Sequence, residues 1–242
     1  MLILKNKTWA FIPARSGSKS MKDKNIKKIN SIPLLVYSIN TALNLKKKKI
    51  IDEIIFSSDS NRYINLVKKI SKKIKIDKRL KKDATDNALD INMFQTFVKK
   101  HEKKINVLPE LFLHLRPTTP FRKDKIIINA MKIFKKNKKK YSSLRSVSLM
   151  ENSSLKTMRI INGKLCNILN LDYNMDKLNL PRQSYPTTYV ANGYVDILKT
   201  SNLFKNIFHG NKVYPFIVND FNSDIDNLSD LKKVRKFKSN DK

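Results

Sequence analysis

The sequence predicts an α/β protein: a mainly parallel sheet with helices on both faces, plus a small β-rich excursion. Short apolar runs alternate with amphipathic stretches of roughly 10–15 residues, the spacing of βαβ units. Three successive apolar runs end in polar turns, which a parallel sheet would gather at its carboxyl edge, where ligands bind in such folds. The alternation breaks only over about residues 150–188.

Taken in order, "WAFIPA" (9–14) reads as a short buried strand, and "IPLLVYSINTALNL" (32–45) has apolar residues at helical spacing with Pro33 near its start. "IDEIIFSSD" (51–59) is a β-rich run ending in Ser and Asp, followed by a helical "NRYINLVKKISKK" (61–73). A third helix is expected over "ALDINMFQTFVKKH" (88–101), then a strand at "ELFLHL" (110–115) and the Pro-bounded loop "RPTTPF" (116–121). "KDKIIINAMKIFKK" (123–136) is a fourth helix and "SSLRSVSLM" (142–150) a strand. Beyond it, "KTMRIINGKLCNI" predicts a hairpin turning at Asn162-Gly163, then a polar stretch and "LPRQSYP". Strands resume at "TYVANGYVDIL" (188–198) and "KVYPFIV" (212–218). This organisation reads as a single domain over 1–242, with about 150–188 inserted as a lid or oligomer arm.

Composition excludes some classes and tempts toward another. No window approaches the roughly 18–20 apolar residues of a membrane span. "MLILKNKTWAFIP" has no small-residue cleavage site and reads as no signal peptide, so a cytoplasmic location and no membrane partner are expected. Cys166 is the only cysteine, which rules out an internal disulfide and a cysteine-rich metal site; it reads as packed rather than nucleophilic. The net charge of +31 invites a nucleic-acid partner. Yet the basic residues are overwhelmingly Lys, with only nine Arg, and they run together in "LKKKK" and "FKKNKKK". Phosphate and base readers favour the bidentate Arg fork. The charge therefore reads mostly as solvated surface, with weak polyanion binding as a side effect and no specific nucleic acid.

Two constellations carry chemistry. In "ARSGSKSMKDKN" (14–25), Arg15, Lys19, Lys22 and Lys24 crowd a small-residue turn just past a strand. Small residues let backbone N–H groups approach a polyphosphate while staggered cations neutralise it. Neither a P-loop nor a dinucleotide fingerprint is present. The residues alone leave a solvated basic loop as open as a phosphate cradle. In "NDFNSDIDNLSDL" (219–231), Asp224 and Asp226 would point to one face of an extended segment, roughly 7 Å apart at the backbone. They suit a magnesium ion that takes its other oxygens from water and phosphate. The same segment also reads as a helix start, with Asp226 or Asn227 at the cap, and both readings can hold together.

Read together, these segments resemble the acylneuraminate cytidylyltransferases, the CMP-sialic acid synthetases and relatives that handle other 3-deoxy-2-keto acids. "IPARSGSKS…KN" is similar to the family's Ile-Pro-Ala-Arg-Gly-Gly-Ser-Lys-Gly…Lys-Asn loop, with Arg15, Lys19, Lys24 and Asn25 in register. "RLKKDATDNALD" matches Arg-Pro-x-x-Leu-Ala-x-Asp-Thr-Ala at Arg79, Asp86 and Ala88. "LRPTTPFR" resembles Leu-Gln-Pro-Thr-Ser-Pro-Leu-Arg, "PRQSYPTTYVANGYVDI" the Arg-Gln-x-x-Pro…Asn-Gly segment, and "DIDNLSDL" the Asp-Ile-Asp-x-x-x-Asp-Leu ending. The likeness runs in unbroken order over residues 9–231.

The resemblance implies a Rossmann-like fold, a homodimer with the excursion reaching across, and a reaction. CTP and a nonulosonic acid would give the CMP-sugar and pyrophosphate, supplying an activated sugar for cell-surface glycans such as lipopolysaccharide or capsule. Arg15, Lys19 and Lys24 would hold the triphosphate, Lys19 also acting in catalysis, and Asn25 and Arg79 would contact the nucleotide. Asp224 and Asp226 would bind catalytic Mg2+. Arg182 would face the sugar carboxylate, with Gln183 and Asn192 shaping the pocket, and Lys22 reads as surface.

This chain also departs from the pattern. Ser16 and Ser20 replace glycines, at a cost of about 1 kcal/mol each if φ must be positive. Leu89 and Asp90 replace small or hydroxyl residues near the nucleotide. Arg116 stands where Gln is common, in the expected sugar pocket, and Asp196 where some members carry an aromatic. The acid could be of legionaminic, pseudaminic or Kdo type as readily as N-acetylneuraminate. Arg116 also keeps open a nucleotidyltransferase acting on a sugar or alditol phosphate, and the charge keeps open a non-catalytic nucleic-acid binder. His101, His114 and His209 lack ligand spacing, with His114 expected as strand packing. Trp9, Phe94 and Phe97 read as core, and Thr118 and Thr119 as turn residues.

Overall fold

A computed structural model describes residues 2–105, 107–168, 175–220 and 224–240. Its regular elements are β1 (Leu2–Pro13), β2 (Lys28–Ile29), β3 (Ile32–Pro33), α1 (Leu34–Lys47), β4 (Glu53–Ser58), α2 (Asn61–Ile70) and β5 (Ile74–Lys78). There follow α3 (Asp90–Ile105), β6 (Val107–His114), α4 (Asp124–Asn137), β7 (Ser143–Leu149), β8 (Met158–Ile161) and β9 (Lys164–Asn167). The chain closes with β10 (Tyr189–Lys199), α5 (Thr200–Phe204), β11 (Val213–Ile217) and α6 (Leu228–Asn240).

Seven strands form one sheet in the order β11-β7-β10-β6-β1-β4-β5. Only β10 opposes its neighbours, β6 and β7; every other pairing is parallel. The mainly parallel sheet predicted from the alternation is thus present. Alternate residues of β1 feed opposite faces, as a period of two requires. Ala10 and Ile12 pack with Leu35 of α1, Val67 of α2 and Met131 of α4. Trp9 and Phe11 pack with Phe94, Phe97 and Val98 of α3 and Leu203 of α5. Trp9, Phe94 and Phe97 are core, as expected. Phe11 lies 4.3 Å from Phe94 and edge-on to Phe97.

The excursion contains the predicted hairpin, β8 against β9. Its turn places both Asn162 (φ 49) and Gly163 (φ 74) in the left-handed region, the type I′ geometry that Asn-Gly favours. Cys166 is half-buried on this hairpin rather than packed in a core. β5 escapes sequence reading because "IKIDK" is charged and short; it is an edge strand, where lysines discourage further pairing. At the start of α6, Asp230 N donates to Asn227 Oδ1 (3.0 Å), while Asp230 Oδ2 accepts from Asp226 N and Asn227 N. This reciprocal capping box makes Asn227 the cap and leaves the Asp224 and Asp226 side chains outside it.

Candidate active site

The loop after β1 is fastened at several points. Ala14 N continues the ladder to Ser57 O at 2.9 Å. Ser16 then donates twice to Asp59 at the end of β4, from N (2.9 Å) and Oγ (2.6 Å). Neither Ser16 nor Ser20 has a positive φ; the left-handed residue is Asp23 (φ 55), whose carboxylate accepts from Tyr63 Oη. The strain expected from the missing glycines is therefore absent. Asn25 is buried and donates to Arg15 O at 2.9 Å, bracing the turn from inside.

Three of the four loop cations meet a carboxylate. Arg15 Nη1 lies 2.8 Å from Asp86 Oδ1, and the well-exposed Lys19 lies 3.7 Å from Asp86 Oδ2. Lys24 Nζ reaches Asp226 Oδ1 at 3.1 Å, and Ser20 Oγ donates to Asp226 O at 2.6 Å. Arg79 is buried against the end of β4, donating to Ser57 O and Ser57 Oγ, and burial lowers its pKa. Arg15, Lys24, Asn25, Arg79, Asp90 and Arg116 line one cavity of about 170 Å³ at the sheet's carboxyl edge. Lys22 is exposed and does not line this cavity.

Asp224 and Asp226 flank the fully buried Ile225, whose N–H donates to Thr118 O at 2.9 Å. Both carboxylates thus face the open side. This is what the loop "RPTTPF" contributes: Thr119 is buried in the turn, its N–H on Arg116 O, and Thr118 holds the acidic segment by its backbone. Among the described residues, no third His, Cys, Asp or Glu joins the pair. Two carboxylates open to solvent fit a magnesium ion that keeps waters and phosphate oxygens as its other ligands.

Sequence reasoning missed Arg122. It is half-buried and donates to Arg116 O, Thr119 O, Gly193 O, Tyr194 O and Ser38 Oγ, tying α1, the β6 loop and β10 together. Burial among these neutral acceptors pushes its pKa down to about 9. It was visible only as the last letter of "LRPTTPFR", with nothing local to mark it off from other basic residues. Asn192 is likewise internal: its Nδ2 donates to Ser148 Oγ and its Oδ1 accepts from Tyr194 N, shaping the irregular stretch of β10.

Arg182 and Gln183 do not join this group within the chain. They line a separate cavity of about 490 Å³ with Leu149, Ser153, Tyr185 and Tyr189, on the excursion. Nearby Ile160 (75% exposed), Leu165, Leu180 and Val190 present apolar surface to solvent.

Arg116 is not a free cation. It bonds Asp90 Oδ2 through Nη2 (2.9 Å) and Asp196 Oδ2 through Nη1. Burial opposes ionisation of Asp196, but His114 and Arg116 outweigh it and hold the carboxyl well below its ordinary range. His114, paired opposite Asp196 across the β6–β10 ladder, is fully buried as expected, and burial lowers its pKa.

An open α/β sheet with a cationic loop, a buried Arg and a carboxylate pair at its carboxyl edge defines a Rossmann-like nucleotidyltransferase fold. Among solved structures, CMP:2-keto-3-deoxy-manno-octonic acid synthetase complexed with CTP superposes with a TM-score of 0.69, covering 98% of this chain and all of that one at 14% identity. A 4-diphosphocytidyl-2C-methyl-D-erythritol synthase from Anaerococcus prevotii gives 0.60 over 96% of this chain and 98% of its own, also at 14% identity. The chain belongs to the cytidylyltransferase family, whose model, described as "Cytidylyltransferase", matches residues 9–240. Similar curated proteins include an N-acylneuraminate cytidylyltransferase of Escherichia coli, 28% identical over 94% of this chain and 51% of that protein. Flagellin modification protein B of Campylobacter coli is 27% identical over 92% and 91%. A CMP-N,N'-diacetyllegionaminic acid synthase of Legionella pneumophila is 26% identical over 90% and 89%. The chain thus spans about half of the first of these relatives and most of the other two.

Proposed function

We propose that this protein transfers CMP from CTP to the anomeric hydroxyl of a nonulosonic acid, releasing pyrophosphate. The observation that carries this reading is the meeting of Lys24 with Asp226 at 3.1 Å beside Arg15 and Arg79. A triphosphate-binding cation and a metal-binding carboxylate must adjoin if one ligand is to engage both.

In this reading the sugar oxygen attacks the α-phosphorus in line and the bond to the β-phosphate oxygen breaks, so positioning and charge neutralisation supply most of the catalysis. Arg15 and Lys19 turn from Asp86 to the triphosphate, and Lys24 turns from Asp226 to a phosphate oxygen. Asp224 and Asp226 would hold Mg2+, which when bound polarises the α-phosphate and favours ionisation of the sugar hydroxyl. Asn25 and Arg79 keep the nucleotide side rigid. Arg182 and Gln183 would serve the acid's carboxylate from a partner subunit, the exposed apolar excursion forming the dimer contact. Arg116 gives the sugar-phosphate alternative no support, because two carboxylates already hold its charge.

The test is pyrophosphate release with CTP, Mg2+ and a panel of 3-deoxy-2-keto acids, with ATP, GTP and UTP as controls. Asp224→Asn and Asp226→Asn should each lower turnover at least ~100-fold with unchanged far-ultraviolet circular dichroism. Absence of release with every acid, in folded protein that binds CTP, refutes the reading. Light scattering at several concentrations tests the dimer.

A further inference from the structure

Asp90, Arg116 and Asp196 lie far apart in sequence, and in space they are one ionic unit. Asp196 is 1% exposed and sits beneath Arg116, with His114 Nδ1 at 3.7 Å and Arg145 Nε at 4.0 Å on its other sides. Arg116 bridges upward to Asp90 at 2.9 Å. Asp90 and Arg116 both line the crevice, and among the described residues Asp90 Oδ1 makes no hydrogen bond. A guanidinium held by two carboxylates offers little net attraction to an anion, whereas an ionised carboxylate accepts hydrogen bonds and donates none.

We propose that these three residues form a specificity unit. Asp196 is its positioning residue: it holds Arg116, and Arg116 presents the Asp90 carboxylate at the crevice wall. At the crevice wall the unit offers an acceptor, Asp90, beside a guanidinium whose charge is already held. The unit therefore selects a ligand bearing an N–H or O–H donor at that point, a hydroxyl, acylamino or exocyclic amino group, and disfavours a carboxylate or phosphate there. In its acid-substrate arm the proposal rests on the function proposed above; in its nucleotide arm it requires only CTP binding.

The experiment is a mutant cycle with two readouts: CTP affinity at low salt without any acid, and KM for the acid at saturating CTP. Thermal unfolding checks that each variant is folded. Asp196→Asn leaves Arg116 with one carboxylate, so CTP should bind at least threefold tighter and the acid's KM should shift at least fivefold with kcat within threefold. Arg116→Gln alone removes the cation that both carboxylates share and should weaken CTP binding at least fivefold. In the Arg116→Gln background, Asp196→Asn should change either readout less than twofold, because Asp196 acts through Arg116; independent structural damage would instead repeat the single variant's shift. Asp90→Ser should then move the CTP readout if the donor lies on the nucleotide, or the acid's KM if it lies on the sugar.

Additive effects in the cycle, or no response of either readout to Asp90→Ser, overturn the proposal. If Asp196→Asn does not fold, the double variant compared with Arg116→Gln carries the same comparison. If the parent consumes no acid, the functional reading fails while the CTP cycle still judges the unit.

Discussion

Ser16 shows how a single side chain replaces what a glycine was expected to supply. Its φ is not in the left-handed region, and its N–H and hydroxyl both grip Asp59. Ser16→Ala should therefore lower stability by about 1 kcal/mol in urea unfolding, the order of one partly exposed hydrogen bond to a charged group. Ser16→Gly should cost more, because it also frees the backbone in the unfolded chain. Arg122 makes the opposite point. Arg122→Met would take the guanidinium donors from four carbonyls at once, and a loss of about 3 kcal/mol in the same measurement is expected. Arg122→Lys should rescue little of it, since one ammonium cannot span a fork's partners. Arg15, Lys19 and Lys24 were legible because they cluster in sequence beside a small-residue turn. Arg122 was not, because its five acceptors come from three separated segments.

At the scale of elements, β10 is the pivot. Its register against β7 shifts between Ala191 and Asp196, and Gly193 sits in that stretch with φ 66. A Cβ there would lie 2.8 Å from Thr119 Oγ1 and 3.5 Å from Asp224 Oδ2. Gly193→Ala should cost at least about 2 kcal/mol by thermal unfolding, combining left-handed strain with the clash. It should also reduce pyrophosphate release more than it reduces CTP binding, because Thr119, which must give way, and Asp224, which gains a methyl contact, lie at the acidic pair. The hairpin β8–β9 was readable from Asn162-Gly163, since a type I′ turn is a local demand on two residues. β5 was not readable, because its strand state comes from pairing with β4 and not from its own alternation of Lys and Ile.

Over the whole molecule, the buried ionic network beneath the crevice links folding to pH. Burial holds His114 below its ordinary pKa and lowers His209 to about 4. Folded His209 binds fewer protons than unfolded His209 between these two values, so the stability it carries is present above about pH 6.5 and is lost as pH falls toward 4. His209 is partly exposed, which discounts its share to about 1–2 kcal/mol. His209→Gln should flatten the fall of melting temperature between pH 7 and pH 4.5. An unchanged slope would show that His209 titrates normally in the folded protein.

By itself the sequence determined the alternation of strands and helices, the cationic loop, the acidic pair and the Asn-Gly hairpin. Each is a property of a few consecutive residues, where backbone preference and side-chain spacing are local. Only the tertiary structure decided which charges meet: Arg15 with Asp86, Lys24 with Asp226, and Arg116 between Asp90 and Asp196. Coulomb energy depends on separation and on the dielectric around a pair, and burial sets both. Neither can be read along the chain, so the sequence shows Arg116 as a cation in an expected sugar pocket and the fold shows it held between two carboxylates.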